Sequence, residues 1–390
     1  MKPSNTDSKL TIAHLVTSLE VGGAQHNMLL GLPRLDQNRY QHVLISIMDR
    51  MQMAQQFRSA GIELHSLGLS RKSDLAVALR LRSLLKRLRP DILHTYLIHG
   101  NVLGRIVGRL VGVPTIIGSE LTIGQAGPVG RLATKLTNPL TDAVEVNSET
   151  GGRAIAADLG VPSEKIEVIL PGLDLQAFGG SDRRSAIRSE IGVLASDQLV
   201  LYVGRLQPVK GVEYGIRAFA KALSMNSNLH LALAGEGEQR AELVNLVTEL
   251  NIQEKVSFLG ARRDLPDVLS AADSVLMPSL TEGFPRVAIE AMAAAKPVIA
   301  TRVGGVPEAV VHNETGILVE SRDVDAMTNA IIETSRDTER QAAFGRKARV
   351  RVEQLYSAES YVTRLDEMYQ RRANRKLPAP SAHKQYSQES

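Results

Sequence analysis

The chain has 390 residues, of which 43% are hydrophobic and 23% are charged. At about 150 residues per domain this length predicts two or three domains, and the composition excludes a globally disordered protein. The absence of cysteine excludes disulfides, thiolate metal sites and a cysteine nucleophile. The net charge of +4 is too small to indicate nucleic acid, and we expect no nucleic-acid partner. Without an apolar leader or an uncharged apolar run of about 18 residues, the sequence predicts a soluble, cytoplasmic protein.

Short Val/Ile/Leu runs alternate with amphipathic segments along most of the chain. The first series of predicted strands is 10–16, 42–47, 62–67, 92–94, 115–117 and 143–146. The second series is 199–203, 229–234, 256–259, 274–277, 297–300 and 316–319. The clearest helix is predicted over residues 74–88, with Asp74 as its N-cap. Continuous apolar strands between helices indicate an α/β protein with two parallel, doubly wound sheets.

Residues 169–180 contain one proline and three glycines without a helical period, so we expect the linker there. This predicts an N-terminal lobe over residues 1–172 and a C-terminal lobe over 173–355. A long helix is expected over residues 356–373 and a disordered tail over 377–390. Such lobes would bind a ligand in a cleft at the carboxyl ends of their strands.

Glycines follow the first predicted strand of the first lobe. Gly22 and Gly23 precede a helix, where they would let an anion approach backbone N–H groups. A tight turn without a ligand explains them equally well. The third glycine and the acidic residue of the dinucleotide fingerprint are missing.

Two cations follow the first strand of the second lobe. Arg205 and Lys210 lie in a loop shaped by glycine and proline, and a guanidinium with an ammonium suits a diphosphate. The alternative is two solvated loop cations. The Walker pattern is absent, which excludes a P-loop nucleotidase.

A third motif, over residues 278–294, follows an apolar strand and enters a helix. Pro285 is predicted in the first helical turn, which places Glu282 in the loop and Glu290 on the helix. Backbone N–H groups between Phe284 and Val287 would form a helix N-terminus suited to phosphate. Two carboxylates beside an anion site can accept hydroxyl hydrogen bonds from a ribose and a transferred sugar.

These motifs, with Gly235-Glu-Gly237 and the segment 292–305, resemble the retaining GT-B glycosyltransferases of family 4 over roughly residues 10–370. The resemblance implies a C-terminal lobe that binds a nucleotide-sugar donor and an N-terminal lobe that binds the acceptor. It also implies a C-terminal helix that packs back onto the first lobe. The donor is commonly a UDP-sugar, GDP- and ADP-sugars occur in other members, and neither a metal nor another cofactor is required.

The resemblance also assigns roles to single residues. Arg205 and Lys210 would neutralise the diphosphate, Glu282 would hold sugar hydroxyls and Glu290 the ribose. The other residues expected to line the nucleotide sugar are Gly22, Gly23, Gly235, Gly237, Leu259, Arg262, Phe284, Pro285, Arg286 and Val287. No enzyme nucleophile is implied.

The chain departs from the family pattern at a histidine. Many members carry histidine where Tyr96 stands, so His99 is the candidate near the reacting centre, with a structural histidine as the alternative. Arg286 occupies a position that family members often fill with a smaller or neutral residue, so the resemblance leaves recognition of the donor sugar open. The pair Asp323 and Asp325 resembles a metal-binding motif, but a helix-capping role is favoured.

The sequence therefore predicts a glycosyltransferase that acts on a glycan or a lipid-linked acceptor, in the synthesis of cell-surface polysaccharide or glycolipid. The alternatives are a GT-B sugar-nucleotide epimerase and a catalytically silent binding subunit.

Nine basic residues between Arg71 and Arg109 predict attraction to an anionic membrane surface, such as the inner face of the cell membrane. A solvated basic helix face is the alternative.

Overall fold

The computed structural model describes residues 9–69, 74, 76–121, 127–178 and 183–373. The chain divides into two compact units. The first unit contains the described residues up to Asn147, residues Gly151–Gly172 and the C-terminal segment from Glu359. The second contains Ser148–Thr150 and Leu173–Ala358. The predicted disordered tail, residues 377–390, lies outside the described residues.

The first unit is built on a parallel sheet. Its strands are β1 Leu10–Val16, β2 Tyr40–Met48, β3 Glu63–Leu69, β4 Ile92–Tyr96, β5 Thr115–Ser119, β6 Ala143–Val146 and β7 Ile166–Val168. The helices up to this point are α1 Gly23–Gly31, α2 Ala54–Ser59, α3 Ala76–Leu88, α4 Leu97–Val111, α5 Pro128–Thr137 and α6 Glu149–Leu159. The strand order is β3-β2-β1-β4-β5-β6-β7. The sheet is buried because helices cover apolar strands such as β1, whose side chains are almost all inaccessible.

The second unit repeats this plan. Its strands are β8 Gln198–Val203, β9 Leu229–Ala234, β10 Val256–Gly260, β11 Ser274–Met277, β12 Val298–Thr301 and β13 Gly316–Val319. The remaining helices are α7 Arg184–Ile191, α8 Val212–Met225, α9 Arg240–Glu249, α10 Leu265–Ala271, α11 Arg286–Ala293, α12 Val306–Ala309, α13 Val324–Arg336, α14 Thr338–Leu355 and α15 Ala358–Arg372. The parallel strands run in the order β10-β9-β8-β11-β12-β13.

In both sheets the order in which strands are added reverses after the first three. The reversal lies between β1 and β4 in the first unit and between β8 and β11 in the second. At such a switch point the loops at the carboxyl ends of the strands diverge and leave a crevice for a ligand. The predicted fold class, two doubly wound parallel sheets with helices around them, is confirmed. Every predicted strand is present, whereas β7 was not predicted.

Helix α15 covers a polar cluster in the core of the first unit. His14 on β1 lies between His42 on β2 and His94 on β4, with 3.0 Å between His14 Nε2 and His42 Nδ1. Tyr369 of α15 places its hydroxyl 2.9 Å from His94 Nδ1. Tyr361, also on α15, packs so closely on Gly172 that a Cβ there would lie 2.7 Å from it. Hydrogen bonds and close packing together fix α15 on this sheet.

The described helices include none that is long and apolar enough to cross a membrane.

Candidate functional site

The loops after β8 and β11 flank the switch point of the second sheet, and a short ion pair joins them. Lys210 Nζ lies 2.6 Å from Glu282 Oε1, with side chains 22% and 10% exposed. Ser279 donates its hydroxyl to the same oxygen at 2.7 Å. Glu282 Oε2 has no hydrogen-bond partner among the residues that the structure describes. The carboxylate is therefore fixed through one oxygen while the other can accept a bond from a ligand.

Two glycines set the path of these loops. Gly211, which follows Lys210, has φ +59°, and a Cβ there would lie 2.3 Å from the Pro278 carbonyl oxygen. Gly304, after β12, has φ +50°, and a Cβ there would lie 1.7 Å from the Glu282 carbonyl oxygen. Only glycine fits both the left-handed backbone and the close contact. The backbone of Glu282 is thus held by the neighbouring loop.

Arg205 lies in the loop after β8 with an exposed side chain. Within the described part of the chain its guanidinium makes no hydrogen bond or ion pair, so it is available to an anion. Its carbonyl accepts a hydrogen bond of 2.8 Å from the hydroxyl of Tyr202. Burial raises the pKa of Tyr202, and the Glu282 carboxylate raises it further, so this hydroxyl stays a donor.

The predicted glycines Gly235 and Gly237 support the same loop from the end of β9. A Cβ at Gly235 would lie 1.8 Å from the Gly204 carbonyl oxygen, and one at Gly237 would lie 2.2 Å from that of Leu206. Packing against the Arg205 loop therefore requires glycine at both positions, whether or not a ligand contacts them.

Helix α11 begins immediately after Pro285. Pro285 is its N-cap, with φ −83° and ψ 81°, and the helix starts at Arg286. The placement of Pro285 in the first helical turn was wrong, because this ψ lies far from the helical value of about −42°. Arg286 Nε lies 3.0 Å from Glu290 Oε1, one turn further on. The half-buried ring of Phe284 packs at 5.5 Å from that of Tyr356, and Val287 is half-buried.

Leu259 and Arg262 lie at the end of β10 and just after it. The Arg262 guanidinium bonds to Asp264 at 2.7 Å and also pairs with Glu190. These two carboxylates raise its pKa. Arg262 is thus anchored within the second unit, and its predicted contact with the nucleotide base, like that of Leu259, stays a prediction.

The predicted residues of the first unit lie at its own switch point. Gly22 is the N-cap of α1 and Gly23 its first residue, and a Cβ at Gly23 would meet no atom within 4 Å. His99 is exposed on the first turn of α4. In contrast, His94 is fully buried and lies 2.9 Å from Glu145 Oε2, which marks it as a structural residue.

Two features of the sites were not predicted. Leu97 follows β4 with φ +63°, a strained conformation for a branched side chain that often marks a ligand site. It lines a cavity of about 40 Å³ with Glu120 and Leu121. Ser279, which orients Glu282, was also missed. No sequence signal identifies a left-handed leucine, whereas Ser279 lies within the third motif.

The Asp323 carboxylate accepts a hydrogen bond of 2.8 Å from the backbone N–H of Ala326, so the predicted helix-capping role is confirmed. Among the described residues there is no group of three or more His, Asp or Glu side chains that could hold a metal ion.

The strand order of both sheets and the motifs at the second switch point define a GT-B glycosyltransferase. Residues 183–351 match the family of glycosyl transferases group 1, and residues 10–172 match the glycosyl transferase 4-like domain. The chain belongs to this family of glycosyltransferases.

Two curated relatives and a set of solved structures are similar to it. N-acetyl-alpha-D-glucosaminyl L-malate synthase of Bacillus anthracis is 27% identical over 310 residues, which cover 76% of this chain and 78% of that protein. D-inositol 3-phosphate glycosyltransferase of Mycobacterium bovis is 37% identical over 193 residues, 49% of this chain and 40% of that protein. Anabaena HepE in complex with UDP-glucose is 24% identical with a TM-score of 0.82, over 93% of this chain and 100% of that one. The structural likeness shows the shared fold.

Proposed function

We propose that this glycosyltransferase moves a sugar from a nucleoside diphosphate donor, a UDP-sugar, to an acceptor hydroxyl with retention of anomeric configuration and without a metal. The observation that carries the proposal is the Lys210–Glu282 pair beside the unpaired Arg205 at the switch point of the second unit. Lys210 and Arg205 are cations suited to a diphosphate, and the Glu282 carboxylate beside them is suited to a sugar hydroxyl. The binding of UDP-glucose by Anabaena HepE, which has the same fold, supports the choice of UDP.

The residues of the second unit would act on the departing nucleotide. The bond between the anomeric carbon and the β-phosphate oxygen breaks, and its electron pair leaves with the nucleoside diphosphate. Arg205 and Lys210 stabilise the negative charge that develops there. The acceptor oxygen bonds to the same face of the anomeric carbon, and its proton passes to the departing phosphate oxygen. Retention then requires no enzyme nucleophile.

The two glutamates would hold the donor. Glu282 presents Oε2 to a sugar hydroxyl, since Oε1 is occupied by Lys210 and Ser279. Glu290, mostly buried and beside Arg286, would accept hydrogen bonds from the ribose hydroxyls. The nucleotide contacts predicted for Phe284, Pro285, Arg286 and Val287 form part of the same proposal.

For the acceptor we propose a glycan or lipid-linked sugar, consistent with polysaccharide or glycolipid synthesis, bound by the first unit. A small hydroxylated acid is a second candidate. It is favoured by the relative from Bacillus anthracis, which is named an N-acetyl-alpha-D-glucosaminyl L-malate synthase and matches over 78% of its length.

The test measures UDP released from a panel of UDP-sugars, with a lipid-linked sugar, a glycan or malate as the acceptor. We expect acceptor-dependent release, an α-linked product from an α-linked donor by NMR, and no loss of rate with EDTA. Lys210→Ala should lower turnover at least about 100-fold, because it removes charge compensation from the transition state. Lys221→Ala is the matched control, since Lys221 also pairs at 2.6 Å with a carboxylate, that of Asp325, but on an exposed surface.

Conversion of the donor to another sugar nucleotide without release of UDP would indicate an epimerase. Binding of UDP without turnover under any of these conditions would indicate a silent subunit. Either result would overturn the proposal.

A further inference from the structure

Three neighbouring helices of the first unit carry no acidic residue. Helices α3, α4 and α5 contain neither Asp nor Glu, although each contains basic residues. Helix α4 contacts both of the others. Buried Arg105 of α4 holds it against the end of α5, with its guanidinium 2.7 Å from Asn138 Oδ1. The outward charge of this helical layer is therefore positive.

Helix α5 turns an apolar face outward. Val129, Leu132 and Leu136 are 83%, 59% and 70% exposed, at the i, i+3 and i+7 spacing of one helix face. On α4, Leu110 is 73% exposed and Ile106 is also exposed. Isolated exposed leucines are common on protein surfaces, but a helix whose large apolar residues line one solvent-facing side indicates a binding surface.

The same helical layer carries cations that pair with no carboxylate in the described part of the chain. Arg82, Lys86 and Arg87 on α3 and Lys135 on α5 are exposed and form no ion pair within the part of the chain that the structure describes. The remaining basic residues of the layer are partly neutralised, since Arg80 pairs with Asp74, Arg109 with Asp142 and Arg131 with Asp158.

We propose that the apolar face of α5, with Leu110 of α4, docks on the surface of an anionic lipid bilayer. The leucines enter the boundary between headgroups and acyl chains, and the unpaired cations of α3 and α5 contact lipid phosphates. A second copy of the chain is a poorer occupant, because two such positive faces would repel each other. The basic face predicted from the sequence thus supplies charge, and the exposed apolar side chains of α5 supply the anchor.

This inference does not rest on the proposed reaction, since vesicle binding needs no donor. Docking of this face on a bilayer would favour a lipid-linked acceptor over a small acid as the substrate.

The test is flotation of the full chain with vesicles of phosphatidylcholine alone or mixed with phosphatidylglycerol. We expect the wild-type protein to bind the mixed vesicles and to bind phosphatidylcholine vesicles more weakly. The Leu132→Glu/Leu136→Glu variant should bind both kinds of vesicle at least tenfold more weakly than wild type. The matched control, Leu194→Glu/Val350→Glu, changes two exposed apolar residues of the second unit and should bind as wild type. Circular dichroism checks that both variants are folded.

Charge is tested separately with Lys86→Glu/Arg87→Glu, which should lose binding to the anionic vesicles and keep the weak binding to phosphatidylcholine. Wild-type protein that does not float would overturn the proposal, as would equal flotation of the leucine variant and its control. Dimerisation in lipid-free solution that Leu132→Glu/Leu136→Glu abolishes would also overturn it, because the face would then bind a second copy.

Discussion

Acid should destabilise the first unit through its buried histidines. His14 and His42 share a hydrogen bond of 3.0 Å, which requires an unprotonated nitrogen on one of the two rings. Burial lowers the pKa of both rings, and the nearby His94 lowers both further, so that the pKa of His42 falls to about 3; His42 also lowers the pKa of His14. In addition, His42 Nε2 is buried without a hydrogen-bond partner among the described residues. A proton added there would be an unpaired donor.

The size of the effect follows from the pKa difference. An unfolded histidine titrates near pH 6.5. The folded state favours neutral His42, so its stabilising contribution is complete above pH 6.5 and is lost as the pH falls towards 3. One pKa unit corresponds to about 1.4 kcal/mol, so protonation of His42 alone should lower the free energy of unfolding by about 2 kcal/mol between pH 6.5 and 4.5. That is a large part of the 5–15 kcal/mol, roughly, that stabilises a typical domain.

NMR of protein with labelled histidine rings measures the effect directly. The His42 ring should remain neutral in the folded protein down to the acid transition. Hydrogen exchange of amides in β1 and β2 should show the fall in opening free energy, and His42→Phe should flatten that fall, with His26→Gln as the control. If the His42 ring titrated near pH 6.5 in the folded state, burial of this ring could not cause the acid destabilisation.

Other predictions concern the donor site. Glu282→Gln should mainly lower kcat and Glu290→Gln should mainly raise the donor KM, because only the first contact lies near the reacting carbon; the reverse pattern in steady-state kinetics would exchange their roles. Lys210→Met and Glu282→Gln should be non-additive in a double-mutant cycle of melting temperatures, as their atoms are 2.6 Å apart, and additivity would show that the pair contributes nothing. Gly304→Ala should lower the melting temperature far more than Gly112→Ala, where φ is also positive but a Cβ meets no atom within 4 Å; equal losses would contradict the close contact.

The sequence was sufficient to predict an element and its ends where one local pattern determined the structure. Apolar runs bounded by turn residues predicted β1 and β9 with their observed ends. Strand β7 was missed because it has only three residues, with Glu167 at its centre. Pro285 was placed inside the helix because proline is common at the first helical position, but here it stands at the N-cap.

The site was predictable as a set of motifs but not as a set of contacts. Lys210 and Glu282 were each predicted to bind the donor, yet their ion pair joins loops 72 residues apart and depends on β8 and β11 being neighbours. The exposed face of α5 could not be predicted either. Apolar residues at helical spacing usually face the core, and only the fold shows that these face solvent.

In the proposed site, Arg205 and Lys210 of the second unit bind the nucleoside diphosphate. Calorimetry with UDP on wild type, Arg205→Ala and Lys210→Ala measures this binding. Hydrogen bonds to charged groups contribute about 1.5–3 kcal/mol, so each variant should bind UDP at least tenfold more weakly than wild type. Lys221→Ala should bind as wild type. If UDP bound both variants with wild-type affinity, or did not bind the wild type, the account of this site would be contradicted.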